Sequence, residues 1–226
     1  VTFGRALVAA LALLALTACA SAGGPRREFD RRIERANPSA VIAQELAFAR
    51  AAQERGQWTA FAEFAAEGAV LFVPQPVDAR TWLRGQVNPP QSVRWQPHQV
   101  WSSCDGTLAL SKSAWQRPDG STGYFTTAWQ RKQLGADYRW TMNQGDTLAQ
   151  PLPTPELIGA TVASCSARPT PPHMPAAGSG GQNQGISEDG TFYWHVATGA
   201  DNARTVTAGY WDGSAWQQAL VERVAG

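Results

Sequence analysis

The sequence lacks the short signatures that announce chemistry. It has no glycine-rich phosphate loop, no Gly-x-Ser-x-Gly elbow and no cysteine-histidine pair, so nucleotide hydrolysis and the common nucleophile-based hydrolases find no local support. Histidine is scarce and scattered. His98, His173 and His195 stand far apart with no acid at ligand spacing, so neither a metal centre nor a cofactor is expected. An excess of one charge is also missing: 19 basic and 18 acidic side chains leave a formal net charge of +1, which gives no footing for nucleic acid. The apolar run from Ala6 to Ala18 falls short of the ~20 residues that a membrane-spanning helix needs.

That short run still carries information. It follows Arg5 and closes on Leu16-Thr17-Ala18-Cys19, which resembles a bacterial lipoprotein signal: a basic start, a hydrophobic segment and small residues leading to a cysteine. The resemblance implies cleavage before Cys19, a diacylglycerol thioether on its sulfur and an acyl chain on the new amino terminus, enough for stable anchoring. Residues 1–18 are then a signal peptide and 19–37 a tether, in which Arg26, Arg27, Glu28 and Asp30 read as solvated charge. Loss of Arg5 brings the mature net charge from +1 to about zero. Ala20 stands where an aspartate is linked to inner-membrane retention, so the resemblance points to the outer membrane, with the protein facing the periplasm. The alternative is a core helix that happens to hold a cysteine. With Cys19 lipidated, Cys104 and Cys165 remain as a pair in an oxidising compartment, and a disulfide is expected. The chain-entropy model assigns roughly 4 kcal/mol to such a closure. Two free buried thiols are the alternative.

What is abundant is tryptophan, ten residues in all, read either as core and hairpin filler or as the lining of a cavity. Asn37-Pro38 signals a helix start, and the pattern runs to Gly56 with Val41, Ile42, Leu46 and Ala49 or Phe48 inward. A second helix is expected from about Thr59 to Glu67, ended by Gly68, then a short strand from Ala69 to Val73. Asp78 caps a third helix carrying Trp82 and Leu83. From Val93 to Asp146 the period becomes two, with turns at Asp105-Gly106, Asp119-Gly120 and Gly135-Ala136, so four antiparallel strands are expected at about 93–103, 107–117, 122–133 and 138–146. Centring each hairpin on its turn aligns Trp101, Leu110, Trp129 and Met142 as one inward apolar row. Beside it lie a polar row of Gln99, Lys112, Thr127 and Gln144 and a mouthward row of Pro97, Ala114, Phe125 and Asp146. The opposite face collects Ser102, Ser111, Ser113, Thr126, Ala128 and Asn143, with Trp115 and Tyr124. Beyond Asp146 come Pro151, Pro153 and Pro155, a candidate strand over 157–164, a loop over 168–185, and strands at 191–197, 204–211 and 215–223.

The helix followed by Gly-Gln-Trp-Thr-Ala-Phe, the Glu-Gly-Ala-Val-Leu-Phe-Val-Pro segment, Trp82 and the Asp105-Gly-Thr-Leu-Ala and Asp119-Gly-Ser-Thr-Gly-Tyr hairpins resemble the SnoaL-like branch of the nuclear transport factor 2-like superfamily. The resemblance implies an α+β fold over residues 38–148: a cone-shaped, curved antiparallel sheet wrapped on N-terminal helices, with a cavity at one end. It also implies homodimerisation through the outer sheet face. Residues 149–226 form a small C-terminal β appendage. Enzymes of this fold such as ketosteroid isomerase place an aspartate base inside the cone, whereas none of the four long strands carries Asp or Glu before Asp146. The expectation is therefore a noncatalytic envelope lipoprotein that binds a small, partly apolar ligand or an envelope protein. Its pocket candidates are Trp95, Gln99, Trp101, Lys112, Phe125, Thr127, Trp129, Met142, Gln144 and Asp146. Lys112 either pairs with Asp146, meets an anionic ligand, or lays its stem along Trp129 or Phe125. The alternatives are a lyase, isomerase or hydrolase using Lys112 with Asp146 or Tyr124, and a structural dimer whose cavity is filled by its own side chains.

Overall fold

The computed structural model describes residues 37–132, 135–166, 168–170, 172–174, 183–199 and 201–226. Cys19, the signal segment and nearly all of the tether lie outside them. Asn37 opens helix α1 (Pro38–Arg55) as its sequence leads one to expect: its side chain accepts from the Ser39 N–H at 3.0 Å, and Pro38 fills the first turn, where no N–H is needed. Gly56 ends α1 at φ 100°, and a Cβ there would lie 2.3 Å from the Asn88 side chain. That close approach has a use. Asn88 Oδ1 accepts from Trp58 N at 2.7 Å and Thr59 N at 3.3 Å, capping α2 (Gln57–Phe64) from a distant loop.

Strand β1 (Ala65–Phe72) follows α2 without a break, so the second helix is shorter than expected. Gly68, expected to end that helix, lies inside the strand at φ 69°, where the pairing register is irregular. After β2 (Pro76–Asp78), Asp78 Oδ1 accepts from Thr81 N at 2.8 Å and starts α3 (Ala79–Leu83). The long hairpins follow as β3 (Arg94–Ser102), β4 (Leu108–Gln116), β5 (Thr122–Gln130) and β6 (Arg139–Leu148). With β7 (Gly159–Val162) they form a seven-stranded sheet of order β2-β1-β6-β5-β4-β3-β7. The fold is α+β, but its sheet is mixed and not purely antiparallel, because β1 joins β6 and β7 joins β3 in parallel.

The register corrects the expected faces. The first hairpin holds as expected, with Trp101 opposite Leu110 and Gln99 opposite Lys112. In the second, Arg117 and Ser121 pair, leaving a three-residue loop of Pro118, Asp119 and left-handed Gly120. An odd loop shifts the pairing by one, so Trp129 stands opposite Ala109 and not Leu110. A bulge between Ala128 and Trp129 in the β5–β6 pairing then sets Met142 opposite Ala128 and Trp140 opposite Trp129. A one-residue slip turns every side chain over. Trp95, Trp115, Trp129 and Trp140 therefore pack on Val41, Phe48, Ala52 and Phe61 of the helices. Leu110, Ala128 and Met142, with Trp101 against them, pack on the far side.

That far side is covered by a second sheet of order β11-β10-β9-β8. Strands β9 (Phe192–Thr198), β10 (Arg204–Trp211) and β11 (Trp216–Val224) fall where the alternation placed them, while β8 (Gln184–Ile186) forms in a stretch expected to be loop. Phe192, Trp194, Val206, Ala208 and Leu220 supply its apolar contacts. The outer face that the family resemblance offers to a second copy is thus occupied by the chain's own tail. Two like turns join the sheets. Ser103-Cys104-Asp105-Gly106-Thr107 and Ser187-Glu188-Asp189-Gly190-Thr191 exchange bonds: Asp105 N donates to Asp189 Oδ2 at 2.8 Å, and Asp189 N to Asp105 Oδ2 at 2.9 Å. Cys104 N donates to Thr191 Oγ1 at 3.0 Å, and Glu188 N to Thr107 Oγ1 at 3.2 Å. The expected disulfide between Cys104 and Cys165 forms at the same corner, with Cα atoms 5.3 Å apart.

Candidate functional site

At one end of the helical face lies a cavity of about 540 Å³. Trp58 and Phe61 of α2, Leu71 and Phe72 of β1, Val93, Trp115 of β4 and Phe125 of β5 make its apolar wall, and Asn143 of β6 contributes polarity. The aromatic rings meet mostly edge to face: Trp58 lies 5.5 Å from Phe61 and Phe61 6.2 Å from Phe125, with planes crossed at 71° and 75°. Gly123 makes the floor possible. A Cβ there would fall 2.2 Å from the Trp115 indole, so only glycine lets that ring lie across β5 and donate from Nε1 to Tyr124 O at 2.9 Å. Asn143 is oriented by donating from Nδ2 to Thr127 Oγ1 at 2.8 Å.

The expected pocket residues divide three ways. Phe125 and Asp146 line the cavity. Trp95, Thr127 and Trp129 lie on the same face but are used for packing and hydrogen bonding. Gln99, Trp101, Lys112, Met142 and Gln144 belong to the opposite side: the one-residue shift between β4 and β5 separates Phe125, Thr127 and Trp129 from the first hairpin's row, and the β5–β6 bulge returns Met142 and Gln144 to that row's side. Lys112 Nζ pairs with Glu222 Oε1 of β11 at 2.8 Å, not with Asp146, and stands 4.7 Å from the Tyr124 ring. Glu222 Oε2 also accepts from Thr126 Oγ1 at 2.6 Å and Gln144 Nε2 at 2.7 Å. Arg204 donates from Nε to Gln144 Oε1 at 3.0 Å and from Nη2 to Gly145 O at 2.6 Å, extending this network to the cavity rim. Burial, with Glu222 and Asp146 nearby, pushes the Tyr124 phenol well above its ordinary pKa. Lys112, tied to Glu222, and Tyr124 stand together across the sheet from the cavity that Asp146 lines.

An acid does enter the helical face, from α1 and not from the strands. Glu45 is fully buried; Oε1 accepts from Trp95 Nε1 at 2.8 Å, and Oε2 from Ser111 Oγ at 2.6 Å and Trp129 Nε1 at 2.9 Å. Burial raises its pKa, opposed by the bonds from Ser111, Trp95 and Trp129. It is not part of the cavity wall. The expectation of an acid-free interior is therefore corrected, while the cavity itself gains no base from Glu45. The spacing could have exposed it, since Val41, Glu45, Phe48 and Ala52 follow one helical stripe, whereas Leu46, expected inward, is exposed. Sequence reasoning also missed Trp58, Phe61, Trp115 and Asn143 as cavity residues.

No family model matches the chain, and no curated protein matches it. Among solved structures, it is similar to a chain from Novosphingobium aromaticivorans described as a candidate aromatic ring hydroxylase. That match has 14% identity and a TM-score of 0.37 and covers 51% of this chain and 91% of the other.

Proposed function

We propose that this chain is an envelope lipoprotein of the SnoaL-like, cone-shaped type, anchored through Cys19, that holds a small, partly apolar ligand without transforming it. The observation that carries the reading is the cavity of about 540 Å³, apolar on most of its wall, with Gln57, Asn143, Asp146 and the guanidiniums of Arg117 and Arg204 among its polar lining, within the size and character of small-molecule sites. It also speaks against a cone filled by its own side chains. Among the described residues Asp146 is the one acid that lines it, at its rim beside Arg204.

Thermal shifts of a soluble form beginning after Cys19, measured against a panel of compact aromatic and polycyclic envelope metabolites, test the binding. A ligand at ~100 times its Kd adds about 2.7 kcal/mol to stability. Phe125→Trp, which fills the cavity, is expected to remove that gain. Absence of any shift across the panel overturns the reading. The anchor is tested separately: Cys19→Ser is expected to move the protein from the membrane to the soluble fraction, and a wild-type chain without acyl mass would remove the envelope assignment.

A further inference from the structure

Beside the apolar cavity runs a second, polar groove of about 610 Å³, and the two share Pro89, Gln91, Arg117 and Pro118 as a common rim. Arg94 and Arg117 both line the groove, and among the described residues no carboxylate does. Their positions follow from the sheet: Arg94 opens β3 and pairs in register with Gln116, the residue before Arg117, so two exposed guanidiniums are held at one end of neighbouring strands. Arg117 is held further, its guanidinium carbon 4.5 Å from the centre of the Trp115 ring that forms the cavity floor. The acid in its own turn, Asp119, is committed to Ser121, accepting from N at 2.9 Å and Oγ at 2.7 Å. Across the cavity, Asp146 on the rim is matched by the guanidinium of Arg204.

From this juxtaposition we propose that the cavity's ligand is an amphipathic organic carboxylate. Its apolar body lies against Trp115 and Phe125, and its carboxylate turns over the rim to Arg117 and Arg94. This rests on the binding reading above and specifies the ligand class. A forked guanidinium suits a planar carboxylate, and anchoring it on an indole reduces the freedom lost when the ligand arrives. The larger part of the cavity wall is apolar, which suits an apolar body; the groove wall carries two guanidiniums and, among the described residues, no carboxylate, which suits an anionic head, while Asp119 acts on Arg117 from outside that wall.

Three matched probes separate the claims: naphthylbutyrate, its neutral amide and naphthylbutylammonium, titrated into the soluble chain while tryptophan fluorescence is followed. The carboxylate is expected to bind about tenfold more tightly than the amide at low salt, and the ammonium more weakly than either. In an Arg94→Gln, Arg117→Gln double variant with unchanged thermal stability, the carboxylate's advantage over the amide is expected to fall below about threefold. Amide and carboxylate binding equally to wild type would overturn the anionic assignment and leave the cavity reading standing. An advantage that survives in the double variant would overturn the role of these arginines. Failure of all three probes to bind would overturn both readings together.

Discussion

Ser111 and Lys112 are neighbours on β4, and each gives its polar head to a glutamate from a different layer. Ser111 faces the helices and donates to Glu45 at 2.6 Å; Lys112 faces the tail sheet and pairs with Glu222 at 2.8 Å. Glu45 has only neutral donors, two indoles and a hydroxyl, whereas Glu222 has an ammonium besides Thr126 and Gln144. The difference shows two ways to close one sheet. On the tail side polar cross-links around Glu222 fit a sheet against a sheet. On the helical side large rings converge over a single acid and, at their outer end, leave room for a guest.

Trp129→Ala strikes the helical side hardest. It removes a fully buried indole and one of the donors to Glu45, so the expected loss is about 4–5 kcal/mol in equilibrium denaturation. A loss under about 2 kcal/mol would mean that the rings there are loosely fitted. The attachment of the tail is tested next by Cys104→Ser with Cys165→Ser. The bridge spans 61 residues and bounds the effect near roughly 4 kcal/mol, but the cross-bonds between Asp105 and Asp189 persist, so about 2–3 kcal/mol is expected. Glu222→Ala should follow at about 2 kcal/mol, because Lys112, Thr126 and Gln144 lose their shared acceptor together. Lys112→Ala should cost about half as much, since its side chain is 26% exposed and solvent screens the pair. Equal losses would mean that the ion pair alone, and not the shared carboxylate, holds the two sheets in that region.

Much of the architecture was legible from local signals. Asn37-Pro38 and Asp78 start helices because cap chemistry acts within three residues, and the strands from β3 to β6 sit within a few positions of their expected spans. Which way those strands face was not legible. The Pro118-Asp119-Gly120 turn reads equally as an even or an odd loop, and only the backbone pairing of Arg117 with Ser121 decides. Lys112 and Gln144 looked like pocket polarity because their partners, Glu222 and Arg204, lie 60 or more residues away. The paired Ser-x-Asp-Gly-Thr turns at 103–107 and 187–191 were a readable sign that the tail docks on the first hairpin.

The finest test of the contrast between the two glutamates is a pH slope. Burial holds the folded-state pKa of Glu45 above its ordinary value of 4.5. Over the interval between the two values the folded chain binds more protons than the unfolded one, so this group's contribution to stability declines as pH rises through that interval. Glu45→Gln has no proton to lose. The stability of wild type relative to this variant is therefore expected to fall as pH rises above 4.5, with the other titrating groups common to both. The change should be the smallest of the five because Ser111 Oγ can either donate to the carboxylate or accept from the acid, so protonation needs no repacking. Parallel curves would mean that burial leaves Glu45 as free to ionise as an exposed glutamate, and the distinction between the acid facing the helices and the acid facing the tail would fail.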